Sequence, residues 1–198
     1  MLFNPFKLTW KLEDLRIKKK RRRLPVHGQW HQIKGDIQTC EMEVLNFYTF
    51  FVQAVKPKIV VETGSFHGIS AHYIALGLPE KGHVFSVEYD KKKYNKCCKF
   101  QKKTKKKNIT FMLEDSTQCD WSNSLEKESV DMALIDCSYR YEALDNLFPY
   151  LRQGAYILLH DTIVFDFSED INLFLNSGLI DSVITLETCR GLTIFRKA

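Results

Sequence analysis

Five short apolar runs, each followed by an amphipathic stretch, constrain this 198-residue chain more than any other feature. The runs fall near residues 58–62, 83–88, 109–113, 130–135 and 155–160, and helical spacing recurs near 69–78, 90–103, 140–151 and 167–177. Strands joined by helix-length crossovers lie parallel, and a parallel sheet buries both faces under helices. Leu179 to Leu186 and Leu192 to Phe195 have no helix between them. They must pair as a hairpin, which sets one antiparallel strand in the sheet. The expected fold is therefore α/β: a doubly wound, mostly parallel seven-stranded sheet. A further helix from Cys40 to Val55, apolar around much of its circumference, ends at Lys56 and Pro57.

Composition bounds what surrounds that sheet. With 44% hydrophobic residues the chain can bury one substantial core. No apolar run approaches the ~18 residues of a membrane span, and the amino terminus lacks a signal peptide's order, so a cytoplasmic protein is expected. The six cysteines form no CxxC pair and read as reduced and mostly structural. Charge is uneven: residues 1–34 hold 10 of the 29 Lys and Arg but only two acids, a net of +8, leaving the remainder at −3. Residues 16–23, "RIKKKRRR", follow Leu8, Trp10, Leu12 and Leu15 at roughly helical spacing. Such a segment either packs on the domain as a solvated extension or meets an anionic surface or substrate. The expected division is a basic extension, 1–35, and one folded domain, 36–198.

In a doubly wound sheet, ligands bind beyond the carboxyl ends of the strands, where strand order reverses. The first run leads into "VVETGSFHGIS", residues 60–70, which reads as strand, glycine turn and helix. The polar residues at the strand ends are Glu62 with Gly64, Glu88, Asp115 with Ser116, Asp136, and His160 with Asp161. Five acids would repel a pyrophosphate and suit a cationic cofactor. Glu88 stands where a dinucleotide's ribose-binding acid belongs, but Gly64 and Gly68 do not make the G-x-G-x-x-G spacing.

Four blocks, "VETGSFHGIS", "GLPEKGHVFSVEYD", "VDMALIDCSYRYEALDNLFPYLRQGAYILLHDT" and "RGLTIFRK", occur in an order and spacing that resembles class I S-adenosylmethionine-dependent methyltransferases. Within that class they look like the catechol and caffeoyl-CoA O-methyltransferases and related small-molecule and sugar O-methyltransferases. The resemblance runs from about residue 40 to the end and implies a Rossmann-like methyltransferase fold with S-adenosylmethionine as cofactor. It implies that Glu62 organises the turn formed with Gly64, Ser65 and Gly68 and faces the cofactor's amino acid part. Ser70 would bond the cofactor carboxylate, Glu88 both ribose hydroxyls, and Asp115 and Ser116 the adenine edge. Asp136, at the next strand end, would border the same cofactor.

Methyl transfer requires the acceptor to be aligned and deprotonated. In the metal-dependent branch Mg²⁺ or another divalent cation does this, and by resemblance Asp136 and Asp161 are two of its carboxylate ligands. Thr162 stands where Asn is common, and Tyr139 where Lys or His supplies a base. Two arrangements follow: a divalent ion on Asp136, Asp161 and Thr162, or a metal-free site in which His160, Tyr139 or Tyr141 handles the proton. Either way, two carboxylates on adjacent strand ends need a cation or proton between them. The resulting expectation is an O-methyltransferase for a small hydroxylated acceptor such as a phenol, sugar or glycoside, with assembly as a homodimer left open. Its competitors are a cofactor-binding adaptor without catalysis and an RNA methyltransferase guided by the basic segment. No Asn-Pro-Pro-Tyr-like motif or catalytic cysteine pair supports the latter.

Overall fold

The computed structural model describes residues 40–163, 168–188 and 190–198. The basic segment and its anionic partner, and Cys189, lie outside the described residues. Twelve main elements alternate along the chain: α1 (Met42–Val55), β1 (Ile59–Thr63), α2 (Ile69–Gly77), β2 (His83–Glu88), α3 (Lys91–Thr104), β3 (Ile109–Leu113), β4 (Val130–Ile135), α4 (Arg140–Leu147), β5 (Leu151–His160), α5 (Ser168–Asn176), β6 (Ile180–Leu186) and β7 (Leu192–Lys197). The strands form one sheet in the order β3-β2-β1-β4-β5-β7-β6. β1 to β5 pair in parallel, and β7 runs antiparallel to both β5 and β6. The expected seven-stranded sheet with one reversed strand is what the chain adopts.

Side chains alternate across this sheet, so each central strand feeds two cores. Val60, Met132, Leu134 and Leu158 pack under α1, α2 and α3, together with Val44, Tyr48, Ile74 and Cys97. Val61, Ala133, Ile135 and Ile157 face the opposite layer, with Trp121, Leu144, Leu147 and Phe174. Full burial of each large apolar side chain stabilises by about 1.5–3 kcal/mol, which is why the central strands read as unbroken apolar runs. Among the described residues no helix is long and apolar enough to cross a membrane, and Cys40, Cys97, Cys98, Cys119 and Cys137 are free.

Two boundaries differ from the sequence reading. The helix expected over 140–151 stops at Leu147, and residues 148–150 tighten into a 3-10 turn containing Pro149, whose ring cannot continue the α-helical ladder. The fifth strand begins at Leu151 rather than 155. Its first residues lack an apolar signal because Arg152 and Gln153 are exposed and Gly154 adopts φ +72°. The register against β4 shifts between Val130 and Met132.

Strand order reverses between β1 and β4: the chain moves outward through β2 and β3, then returns to the other side of β1. The turns after β1 and β4 therefore bound a crevice at the carboxyl edge of the sheet.

Candidate active site

A cleft of about 710 Å³ opens at this switch point. Gly64, Phe66, Glu88, Asp115 and Ser116 line one side; Asp136, Tyr139, Arg140, Asp161 and Arg190 line the other. The strand-end acids of β2, β4 and β5 and the acid after β3 thus meet in one space, as the topology requires.

The carboxylates of the first side are held by backbone amides and neutral hydroxyls, with Lys93 also lining the cleft there. Glu88 ends β2, and its carboxylate accepts from the amides of Phe66 (2.8 Å) and Asp90 (2.9 Å), which fixes it between the glycine turn and the start of α3. Asp115 accepts from the amide (3.0 Å) and hydroxyl (2.8 Å) of Thr117, while Ser116 is nearly buried beside it. Glu62 lies beneath the turn, fully buried, and accepts from the hydroxyls of Ser70 and Ser86. Ser65 joins the same network through Ser86, at 2.5 Å between oxygens. Burial, only partly offset by the two serine bonds, pushes the Glu62 carboxyl up to about 7. Glu62, Ser65 and Ser70 are thus brought together as a brace for the loop. Ser86, mid-strand in "HVFSVE", completes the brace and was missed; a lone hydroxyl in a buried strand was its signal.

Both loop glycines answer to the protein's own packing. Gly64 has φ +90°, and a Cβ there would lie 2.3 Å from the Asp136 carbonyl oxygen. At Gly68, φ +74°, a Cβ would approach the Phe111 ring to 2.7 Å. Gly64 therefore lets β1 and β4 close against each other at the cleft floor, whereas Gly68 seats the turn on β3.

The second side is a cluster of charges. His160, at the end of β5, has no solvent exposure. Its Nε2 lies 2.9 Å from Glu41 Oε2, and its Nδ1 lies 3.2 Å from both Asp136 Oδ2 and Asp161 Oδ1. The contact with Asp161 Oδ1 is ionic only, since that oxygen has no partner in hydrogen-bond geometry. Arg140 Nη2 is 3.3 Å from Asp136 Oδ1 and 3.5 Å from Asp161 Oδ2, and Arg190 Nη2 is 2.6 Å from Asp161 Oδ2. Each oxygen of the aspartate pair therefore faces a protein cation.

Burial opposes a charge on His160, yet its pKa stands well above the ordinary value because the anions around it outweigh that cost. Of these, Asp136 matters at neutral pH; Cys40 adds to the effect only as a thiolate, and burial pushes its thiol up to about 12. His160 is consequently an imidazolium with both nitrogens donating, a poor proton acceptor that sits behind the aspartates. Burial also works against ionisation of Asp136, but the charge and hydrogen bond of His160 hold that carboxyl below its ordinary value. Asp161 is raised by burial and by the neighbouring Asp136. Asp136 keeps 23% of its side chain exposed to the cleft against 5% for Asp161. Asp136 is the carboxylate a ligand can reach.

Other expected participants are dispersed. The Thr162 hydroxyl accepts from Thr193 of β7 at 3.1 Å, outside the cleft lining. Tyr141 packs on Phe174, with ring centres 5.1 Å apart, whereas Tyr139 stands exposed at the cleft mouth. Sequence reasoning missed Glu41, Arg140 and Arg190. Arg190 had a usable signal: a strand antiparallel to β5 starts where β5 ends, so the residues preceding Leu192 must lie beside His160, its register partner.

Comparison with known proteins gives this geometry relatives. A family described as a methyltransferase domain matches residues 61–162, just over half of the chain. Tapetum-specific methyltransferase 1 of Arabidopsis thaliana is 30% identical over 124 residues. That match covers 60% of this chain and 53% of the relative, so the chain spans about half the length of the curated relative it matches. Among solved structures, the S-adenosylhomocysteine-bound methyltransferase PaMTH1 of Podospora anserina superposes with a TM-score of 0.74 at 16% identity, covering 100% of this chain and 98% of that one. An O-methyltransferase of Bacillus cereus in complex with SAH gives 0.73 at 14%, over 96% and 99%. A putative caffeoyl-CoA O-methyltransferase of Staphylococcus aureus gives 0.72 at 14%, over 96% and 100%. At these identities the structural likeness establishes the fold.

Proposed function

Because the chain belongs to the methyltransferase-domain family, we propose that it transfers a methyl group from S-adenosylmethionine to a hydroxyl of a small acceptor such as a phenol, sugar or glycoside. The observation that carries this reading is the cleft itself. One side presents an oriented carboxylate, Glu88, with Asp115 and Ser116 beyond it, and the other presents Asp136 with the charge cluster behind it. A sulfonium cofactor without phosphate suits the acid-rich side. The Glu88 carboxylate, held by two amides, has lone pairs left for a ribose diol. The acceptor would enter past Tyr139 and meet Asp136, whose cleft-exposed carboxylate suits alignment of a hydroxyl for in-line displacement. S-adenosylhomocysteine bound to the Podospora and Bacillus proteins supports the cofactor assignment.

The divalent ion expected on Asp136, Asp161 and Thr162 does not fit this donor set. Two guanidinium groups and an imidazolium already face the carboxylate oxygens, and the Thr162 hydroxyl is engaged with Thr193. No step of the proposed reaction is routed through a metal.

Calorimetric titration tests the cofactor half of the reading. S-adenosylhomocysteine should bind and NAD should not; binding of NAD alone would overturn it. Glu88→Ala should weaken S-adenosylhomocysteine by about 2–4 kcal/mol through loss of charge-assisted hydrogen bonds.

A further inference from the structure

The aspartate pair and its two arginines raise a question that the methyl-transfer reading leaves open: what replaces the divalent ion? Two like charges at adjacent strand ends must be neutralised. Here Arg140 bridges them, within 3.3 Å of Asp136 and 3.5 Å of Asp161, and Arg190 contacts Asp161 at 2.6 Å. Guanidinium groups remain charged throughout the accessible pH range, so this neutralisation is permanent. A divalent ion brought to the same oxygens would meet both of them at contact distance. A second observation is independent of the first. Arg190 lines the cleft and keeps 19% of its side chain exposed. Its guanidinium carries five N–H donors, one of which goes to Asp161, so an oxygen ligand in the cleft can meet a cationic donor there.

We infer that Arg140 and Arg190 take the place of a divalent ion in this site, Arg140 by holding Asp136 and Asp161 together and Arg190 by offering the exposed part of its guanidinium to the oxygen of the acceptor. The inference rests on the methyl-transfer reading for the acceptor's identity as a hydroxyl compound, but not for the exclusion of metal. Arg190 is then a substrate-binding residue just before β7, and Arg140 a positioning residue that acts through the carboxylates. A guanidinium nitrogen binds an oxygen with fixed direction, so the site selects the orientation of the acceptor as well as its charge.

Mn²⁺ alone is the probe for the first half, followed by electron paramagnetic resonance on the full chain. The wild type should bind no Mn²⁺ up to about 1 mM, whereas Arg140→Gln/Arg190→Gln, with two uncompensated carboxylates, should gain at least tenfold in affinity. Arg190→Lys keeps the charge, should stay metal-free, and covers the case in which the double variant does not fold. A wild-type Mn²⁺ site of about 100 µM or tighter would overturn the inference. The second half is read from transfer of labelled methyl groups into pooled hydroxylated metabolites in EDTA. Transfer should persist in the wild type and fall about 100-fold in Arg190→Lys, with S-adenosylhomocysteine affinity unchanged within about threefold. Equal transfer by Arg190→Lys would overturn the role of the Arg190 guanidinium. A wild type that binds no S-adenosylhomocysteine and methylates nothing would remove the methyl-transfer reading and the acceptor role together, while the Mn²⁺ measurement still decides the guanidinium pair.

Discussion

The two sides of the cleft hold carboxylates by opposite means. Beyond β1 and β2, Glu62 rests on serine hydroxyls and Glu88 on backbone amides. Beyond β4 and β5, Asp136 and Asp161 are held by Arg140, Arg190 and His160, with Glu41 closing the network from behind. Neutral donors leave a carboxylate side that attracts a cation, whereas matched cations leave a site near neutrality that can take a hydroxyl compound. Under the proposed function, the contrast suits each side to a partner of different charge. It also predicts that the two sides fail differently when perturbed.

The largest effect is expected on the charged side. His160→Ala would leave the buried Glu41 carboxylate without its cation and strip one from the aspartate pair. Breaking a buried pair of this kind costs about 3–5 kcal/mol, readable as a lower denaturation midpoint at constant m-value. The wild-type charge has a definite pH signature. With the folded pKa of His160 above its ordinary value, its stabilisation is complete below that ordinary value and is lost as pH rises through the raised one. A loss no larger than that of an exposed histidine would mean that the cluster does not depend on an imidazolium.

The neutral side should instead respond through Glu62. Its carboxyl moves from 4.5 to about 7 on folding, so the folded chain holds a proton that the unfolded chain releases. The cost of ionising it is absent below about pH 4.5, accrues between there and pH 7, and is complete above. Over about 2.5 pH units this amounts to roughly 3 kcal/mol of stability lost on the alkaline side. Glu62→Gln keeps a neutral group between Ser70 and Ser86 and should flatten that part of the pH profile. An unchanged slope between pH 5 and 7 in the variant would assign the proton elsewhere.

These two tests fall on residues of unequal legibility. Glu62, Glu88 and Asp136 could be placed from the sequence because each ends an apolar strand, and strand ends in a doubly wound sheet converge. The reversed last strand was legible for a related reason: no helix separates Leu186 from Leu192. Arg140 and Arg190 were not recognised, since a basic residue at a helix start or in a turn resembles any solvated one until the fold brings it to a buried acid. Glu41 was hidden at the N-cap of α1, where an acid ordinarily serves the helix dipole. The start of β5 was lost because Gly154 and its exposed neighbours interrupt the apolar pattern. Local periodicity thus gave the frame, and ion pairs, most of them between residues far apart in sequence, completed the site.

The smallest expected effect lies at the far edge of the sheet and sharpens the comparison by contributing to neither side. Asp131 near the start of β4 accepts from the amides of Lys58 (2.7 Å) and Ile59 (2.9 Å) and meets Arg152 at 2.5 Å. It therefore ties β1, β4 and β5 at their lower ends, about five residues or ~16 Å along the chain from Asp136 at the cleft. Arg152 is half exposed, so the ion pair itself adds little. The two amide bonds carry the contribution, and Asp131→Ala should cost about 1–2 kcal/mol of stability. S-adenosylhomocysteine affinity should stay unchanged, because the crossings that position Gly64 and Asp136 are fixed by the strands between. If Asp131→Ala weakened that affinity as much as Glu88→Ala, strand register rather than the two sets of donors would be setting the cleft. The distinction between its two sides would then collapse.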